Sequence, residues 1–152
     1  MNPRNDPLLN FSSYLCHFAQ EFFRPTTTRC RLEVMPGMPP VTFSVNARHN
    51  LFLSAKEAMN NIARHAQATE VWLRIRFEDG ALVVAVEDNG RGFDPAVGRP
   101  GGNGLPNMRA RVEQLGGRVD ISGTPNQGSK IRSTLAPAAA RRPAVAPASR
   151  PD

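Results

Sequence analysis

Ala81-Leu-Val-Val-Ala-Val-Glu-Asp88-Asn-Gly90-Arg-Gly92-Phe93 is the stretch that decides the fold. Leu82, Val84, Val86 and Asp88 share one parity, so a strand over Ala81–Asp88 aims all four the same way, toward a core. A carboxylate on that face requires a partner, because burying an unpaired charge is costly. Directly after it the chain turns glycine-rich: residues 89–104 hold six glycines and two prolines. A loop of that length inside a compact domain is functional or mobile. Just upstream, Asp79-Gly80 is a hairpin signal. It predicts an antiparallel strand over Thr69–Phe77, with Val71, Leu73, Ile75 and Phe77 inward and Trp72, Arg74 and Arg76 outward. Trp72 then either packs under an arginine stem or marks a contact surface.

Working outward from this hairpin, three helices and three more strands are predicted. Leu8, Phe11, Leu15, Phe18 and Phe22 recur at helical spacing, and Pro25 ends that helix. Cys30, Leu32 and Val34 alternate with Arg31 and Glu33 as a short strand. A second helix runs from about Ala47 to Ala66, burying Leu51, Ala55, Ala58 and Ile62. A third covers Leu105–Leu115 and stops at Gly116-Gly117. Strands follow over Arg118–Ser122 and Ser129–Leu135, the latter with Ser129 inward. This order predicts an α+β two-layer sandwich, one mixed β-sheet with helices packed on one face.

The second helix carries Glu57-Ala-Met-Asn-Asn61-Ile-Ala-Arg64-His65. Glu57, Asn61 and His65 stand at i, i+4 and i+8, so they drift only about 40° per step around an α-helix, and Arg64 returns to within about 20° of Glu57. An Asn carbonyl is a neutral oxygen ligand suited to Mg²⁺. Glu57 can accept a proton, and Arg64 and His65 can meet phosphate charge. Asp88 at a strand end suits the amino edge of a purine. Gly90 and Gly92 allow backbone to approach a ligand closely, and Gly102-Asn103-Gly104 precedes a helix whose free N–H groups can hold phosphate. Taken one at a time, the same features suit a solvated helix face and a surface loop.

Composition narrows the class. The chain has 152 residues, 40% apolar and 21% charged, which suits one globular domain. Residues 8–136 form that domain, 1–7 a flexible N-terminus, and 137–152 a disordered Ala/Pro/Arg tail that cannot bury enough apolar surface to order itself. No apolar run approaches the roughly 20 residues of a membrane span and no signal sequence precedes the domain, so a cytoplasmic chain without membrane contact is expected. Cys16 and Cys30 lack metal-ligand spacing and read as buried thiols. A net charge of +6 permits nucleic-acid binding without arguing for it, and none is expected.

The motifs together resemble the catalytic, ATP-binding domain of sensor histidine kinases, in the GHKL superfamily that includes gyrase-type ATPases. Glu57-x-x-x-Asn61-x-x-x-His65 resembles the N box and Asp88-x-Gly90-x-Gly92-Phe93 the G1 box. Gly102-x-Gly104-Leu105, followed by Asn107-Met-Arg109-Ala-Arg111, resembles the G2 box and its helix, and Gly128-Ser129 the terminal Gly-Thr. The helix and the short lid are most similar to the nitrate-sensor class.

The resemblance implies a Bergerat fold holding Mg²⁺ and ATP under a mobile lid. Asp88 would bind the adenine amino group and Ser129 would stand beside it. Asn61 would ligate Mg²⁺, and Arg64 and His65 would lie near the phosphates. Gly90, Gly92, Phe93, Gly102, Gly104 and Leu105 would shape the nucleotide and lid site, and Glu57 would be the candidate catalytic base. It further implies transfer of the γ-phosphate to a histidine on a separate dimerisation domain and, through it, to a response regulator. A His followed by an acidic residue, the family's phosphoacceptor, is not found: His17 precedes Phe18, and His49 has no motif context. The chain is therefore expected to be a monomer in isolation and not to autophosphorylate. A serine kinase of the anti-sigma type on the same fold, or a nucleotide-binding regulatory module without chemistry, are the alternatives.

Overall fold

The computed structural model describes residues 7–92 and 104–137. Chain order is α1 (Pro7–Phe23), β1 (Arg29–Val34), α2 (Val45–Asn61) running on into a π-helical turn (Ile62–Ala66), β2 (Glu70–Glu78), β3 (Ala81–Asp88), α3 (Gly104–Gln114), β4 (Arg118–Gly123) and β5 (Ser129–Leu135). The proposed flexible N-terminus lies almost wholly outside the described residues, and so does the tail beyond Pro137.

The five strands form one sheet in the order β1-β2-β3-β5-β4. Only β1 and β2 run parallel; the other neighbours are antiparallel. All three helices lie on one face, α1 against β1 and β2, α2 against β3 and β5, and α3 against α2 and β4. This is the two-layer sandwich that the alternating strands and amphipathic helices predict.

Parity determines which side chains fill the space between the layers. Val71, Leu73 and Ile75 of β2, Leu82, Val84 and Val86 of β3, and Ile131 and Leu135 of β5 are all buried. Across from them α2 buries Ala47, Leu51, Ala55, Ala58 and Met59. Its small alanines let the helix lie close to the sheet. Ser54 of α2 and Ser133 of β5 meet in this apolar layer at 2.7 Å, so each hydroxyl is satisfied by the other. Ser44 caps α2, its hydroxyl accepting from the Ala47 N–H at 3.0 Å.

Two details depart from the periodic reading. The buried stripe of α1 is Leu8, Phe11, Leu15, Ala19 and Phe23, whereas Phe18 and Phe22 are only half-buried. Over seventeen residues the 3.6-residue period brings positions 19 and 23 back to the core line, and the bulkier rings one position earlier lie on its flank. There Phe18 meets Phe52 of α2 edge-on, with centroids 4.9 Å apart. Cys16 and Cys30 are half-buried rather than enclosed. Both sit where α1 meets the edge strand β1, whose outer side has no neighbouring strand among the described residues.

The outer face of the sheet is lined by charge. Arg74 pairs with Glu33 and Glu87, Arg31 with Glu70, Arg132 with Glu78, and Arg118 with Asp120. Arg74 also lies over the Trp72 ring, 5.6 Å from its centroid, so the tryptophan packs under an arginine stem. Val83 and Ala85 of the central strand are buried on this face too, because the register sets them beside Arg76, Arg74 and Arg132. Among the described residues no helix is long and apolar enough to cross a membrane.

Candidate functional site

Asp88 ends β3 with 2% of its surface exposed. Register sets it opposite Ser129 of β5 and Val71 of β2. Its two oxygens are held separately. One Oδ accepts the Gly90 N–H at 2.7 Å, and the other accepts the Ser129 hydroxyl at 2.5 Å. A carboxylate has about four lone-pair positions, so two remain for a further donor. The clamp fixes the plane of the carboxyl group, and a site that must read one amino group needs that rigidity.

Three glycines make the clamp possible. At Gly90 an added Cβ would stand 2.2 Å from the Ala66 carbonyl oxygen. At Gly92 it would stand 2.1 Å from the Thr124 oxygen, and at Gly128 1.9 Å from the oxygen of Asp88 itself. Gly92 and Gly128 also have φ of +65° and +90°, the left-handed region that only glycine enters freely. The three positions let three separate backbones converge on the end of β3. The Arg91 N–H then donates to the Ala66 carbonyl at 2.7 Å, and the Asn126 N–H donates to the Arg91 carbonyl at 2.5 Å.

Through Gly90 and Arg91 the end of β3 is fastened to Ala66, the last residue of the π-turn. Asn61 stands where α2 gives way to that turn. Asn61 is buried, with 4% of its surface exposed. Glu57 lies one α-helical turn earlier and is half-buried. Arg64 and His65 occupy the π-turn, Arg64 exposed and His65 half-buried. Between Asn61 and Gln67 the chain is wound as a π-turn rather than as the α-helix that the apolar spacing predicts. The turn closes at Gln67, with φ of +53° and ψ of +40°.

Gly104 and Leu105 form the first turn of α3, whose leading N–H groups lack intrahelical partners. Phe93 and Gly102 lie outside the described residues. A hollow of about 230 Å³ opens at the strand ends, lined by Asp88, Ser129, Gly128, Thr124 and Gln127 among others. Among the described residues no three His, Cys, Asp or Glu side chains gather into a metal cluster. Asn61 fits a hard cation as one neutral oxygen ligand, and a ligand's phosphate oxygens would have to supply the rest.

Asn89 escapes the motif reading. Its Oδ1 accepts the N–H groups of both Thr69 and Glu70 at 3.0 Å, and its Nδ2 donates to the Thr69 hydroxyl at 2.9 Å. It locks the residue after Asp88 to the start of β2. The only sequence signal is an Asn at a strand exit, where such side chains often bond nearby backbone. The Thr124–Gly128 turn was legible as a connector, but its grip on the Gly92 loop was not.

A family model described as histidine kinase-, DNA gyrase B-, and HSP90-like ATPase matches residues 47–139. A sensor-like histidine kinase of Chloroflexus aurantiacus is 38% identical over 87 residues, 53% of this chain and 15% of the relative. The histidine-protein kinase/phosphatase DegS of Brevibacillus brevis is 37% identical over 81 residues, 53% of this chain and 21% of the relative. The chain thus spans about a fifth of the length of such relatives. Among solved structures, the histidine kinase domain of the Erythrobacter litoralis blue-light activated kinase superposes with a TM-score of 0.68 at 22% identity, covering 82% of this chain and 60% of that one. The Acinetobacter baumannii histidine kinase AdeS gives 0.66 at 15% identity, covering 86% and 64%. At such identities the two structures speak for the fold alone.

Proposed function

Because this chain belongs to the histidine kinase-, DNA gyrase B-, and HSP90-like ATPase family, we propose that it binds Mg·ATP and serves as the catalytic domain of a sensor histidine kinase. The observation that carries the reading is the buried carboxylate of Asp88, clamped by Gly90 and Ser129 at the end of β3, which is itself fastened to the π-turn that follows Asn61. Asp88 takes the adenine amino group through its free lone pairs, and the Ser129 hydroxyl beside it adds a second polar contact. Asn61 would hold Mg²⁺ through its amide oxygen, and the ion would supply neutralising charge to the phosphates. Arg64, His65 and the leading N–H groups of α3 meet the remaining phosphate charge. Glu57, half-buried one turn from Asn61, is the group placed to accept a proton from the nucleophile. Phosphoryl transfer needs little more from the protein than positioning and electrostatic stabilisation.

The γ-phosphate goes to a histidine on a helical dimerisation domain, and from there to a response regulator. The kinase names of the relatives support this transfer. The Asn107-Met-Arg109-Ala-Arg111 helix supports the nitrate-sensor class. A cytoplasmic setting, where ATP is abundant, accords with it.

Calorimetric titration with ATP, with and without Mg²⁺, tests the reading. Asp88→Asn removes the acceptor charge and is expected to weaken ATP by about tenfold to a hundredfold, the value of one charge-assisted hydrogen bond. Asn61→Ala is expected to abolish the Mg²⁺ dependence while the fold is retained. Unchanged titrations for both variants refute the assignment. Incubation with the partner domain, then acid, separates an acid-labile phosphohistidine from the phosphoserine that the anti-sigma alternative requires.

A further inference from the structure

The far end of α2 carries a second feature that nucleotide binding does not use. The N-terminal halves of α1 and α2 enclose a groove of about 400 Å³, floored by Phe11 and Phe52 and flanked by Tyr14, Val45, Arg48 and His49. Tyr14 is 60% exposed and Val45 73%, high values for large apolar residues set side by side. Tyr14 leans on Phe52 with ring centroids 5.4 Å apart, so its ring is braced by the groove rather than free in solvent. On α2 the positions 45, 48, 49 and 52 form a single helical face, and on α1 positions 11 and 14 form the opposing wall.

Among the described residues that line this groove the charge is one-sided. Arg48 is half-buried, its Nε is sealed from solvent, and that N–H has no hydrogen-bond acceptor among the described residues. No ion pair reaches Arg48 or His49 among them either, whereas Arg31, Arg74, Arg118 and Arg132 of the sheet are each matched to a carboxylate. Within α1 and the first eleven residues of α2 the one acid is Glu21. It lies at the other end of α1 and pairs with Arg24. Arg48 is half-buried at the groove wall and has no carboxylate partner among the described residues, so its positive charge complements an acid brought by a partner. The exposed Tyr14 ring and Val45 beside it favour an apolar surface.

We propose that this groove is a docking site for an amphipathic helix of a partner protein, one that presents apolar side chains at helical spacing and a carboxylate to Arg48. Tyr14, Val45 and Phe52 take the apolar face, as in other helix-in-groove contacts. Arg48 takes the acid, which fixes the register of the incoming helix. Val45 is sixteen residues from Asn61, about 24 Å along the helix axis, so an occupant leaves the nucleotide site open. The proposal does not depend on ATP binding, and nucleotide affinity serves as its internal control.

The test uses a synthetic, end-capped fifteen-residue peptide with leucines at i, i+3, i+4 and i+7 and glutamates between them, and its twins with Gln or Lys in place of Glu. Isotope-labelled chain is titrated with each, and amide shifts are followed. The acidic peptide is expected to move residues 10–14 and 45–52 and to leave residues around Asp88 unmoved. Arg48→Gln is expected to weaken it about tenfold, as loss of a charge-assisted hydrogen bond implies, with ATP affinity unchanged. Arg48→Glu is expected to reverse the preference toward the Lys twin. Equal binding of the three peptides, shifts elsewhere or no shifts overturns the proposal. Sedimentation showing that the chain dimerises through this face, with the dimer lost in Tyr14→Ser, overturns it in favour of a second copy as occupant.

Discussion

Replacing Gly90 by Ala isolates the contact that joins the two halves of the candidate site. Gly90 does not occupy the left-handed region, so alanine fits its backbone conformation and the substitution acts through space alone. The new Cβ would lie 2.2 Å from the Ala66 oxygen, 2.8 Å from the Ala66 carbonyl carbon and 2.9 Å from its Cβ. All three belong to the closing residue of the π-turn, where no flexible side chain can swing aside. Ordinary contact begins near 3.4 Å, so the end of β3 and the π-turn must part by about 1 Å. That parting breaks the 2.7 Å bond from the Arg91 N–H to the Ala66 carbonyl.

Overpacking of this kind costs about 1–3 kcal/mol and a lost backbone hydrogen bond about another 1 kcal/mol. Together they predict a loss of roughly 2–4 kcal/mol, or a fall in Tm of roughly 6–12 °C for a domain of this size. Urea unfolding followed by circular dichroism measures the first, and an ATP titration of the folded variant measures the consequence for the site. Gly80→Ala is the control. It has φ of +77° but nothing within 4 Å of the new Cβ, so it is expected to cost only about 1–2 kcal/mol through backbone strain and to leave ATP affinity alone. Gly90→Ala with wild-type stability and wild-type ATP binding would refute the reasoning, since the two rims would then not be coupled through Ala66.

Ser129→Ala removes one of the two donors on Asp88 and is expected to lower ATP affinity several-fold; a matching ATP titration that finds no change would detach Ser129 from the site. Asn89→Ala deletes three hydrogen bonds to Thr69 and Glu70 and is expected to cost roughly 1–3 kcal/mol in a denaturant titration, even though Asn89 is exposed. Burial, reinforced by the neighbouring Cys16, pushes the Cys30 thiol up from 9.0 to about 11. The unfolded chain then loses that proton first, so stability is expected to fall as pH rises from about 9 to 11, and Cys30→Ala is expected to flatten that limb of a pH–stability curve.

Much of this architecture was legible because short-range rules and the core agree. Parity alone predicted β3 over Ala81–Asp88 and β5 over Ser129–Leu135, and both strands have those bounds. The same parity turned Asp88 and Ser129 inward, and both are buried. The second helix was less legible. Apolar spacing carries a single α-helix to Ala66, but the chain widens into a π-turn at Ile62, and no residue pattern announces such a change of hydrogen-bond register. Asn89 was overlooked for a related reason, since its three partners lie about twenty residues away in sequence.

By itself the order of residues determined the elements, their inner faces and the acid that ends β3, because side-chain direction repeats every two residues in a strand and every 3.6 in a helix. Only the tertiary structure decided that the end of β3 is bolted to the π-turn that continues α2, and that Arg48 faces an apolar groove with no acid among the described residues. Those facts depend on distances between segments far apart along the chain. Such distances follow from how glycine backbones let whole layers approach, which no local pattern encodes.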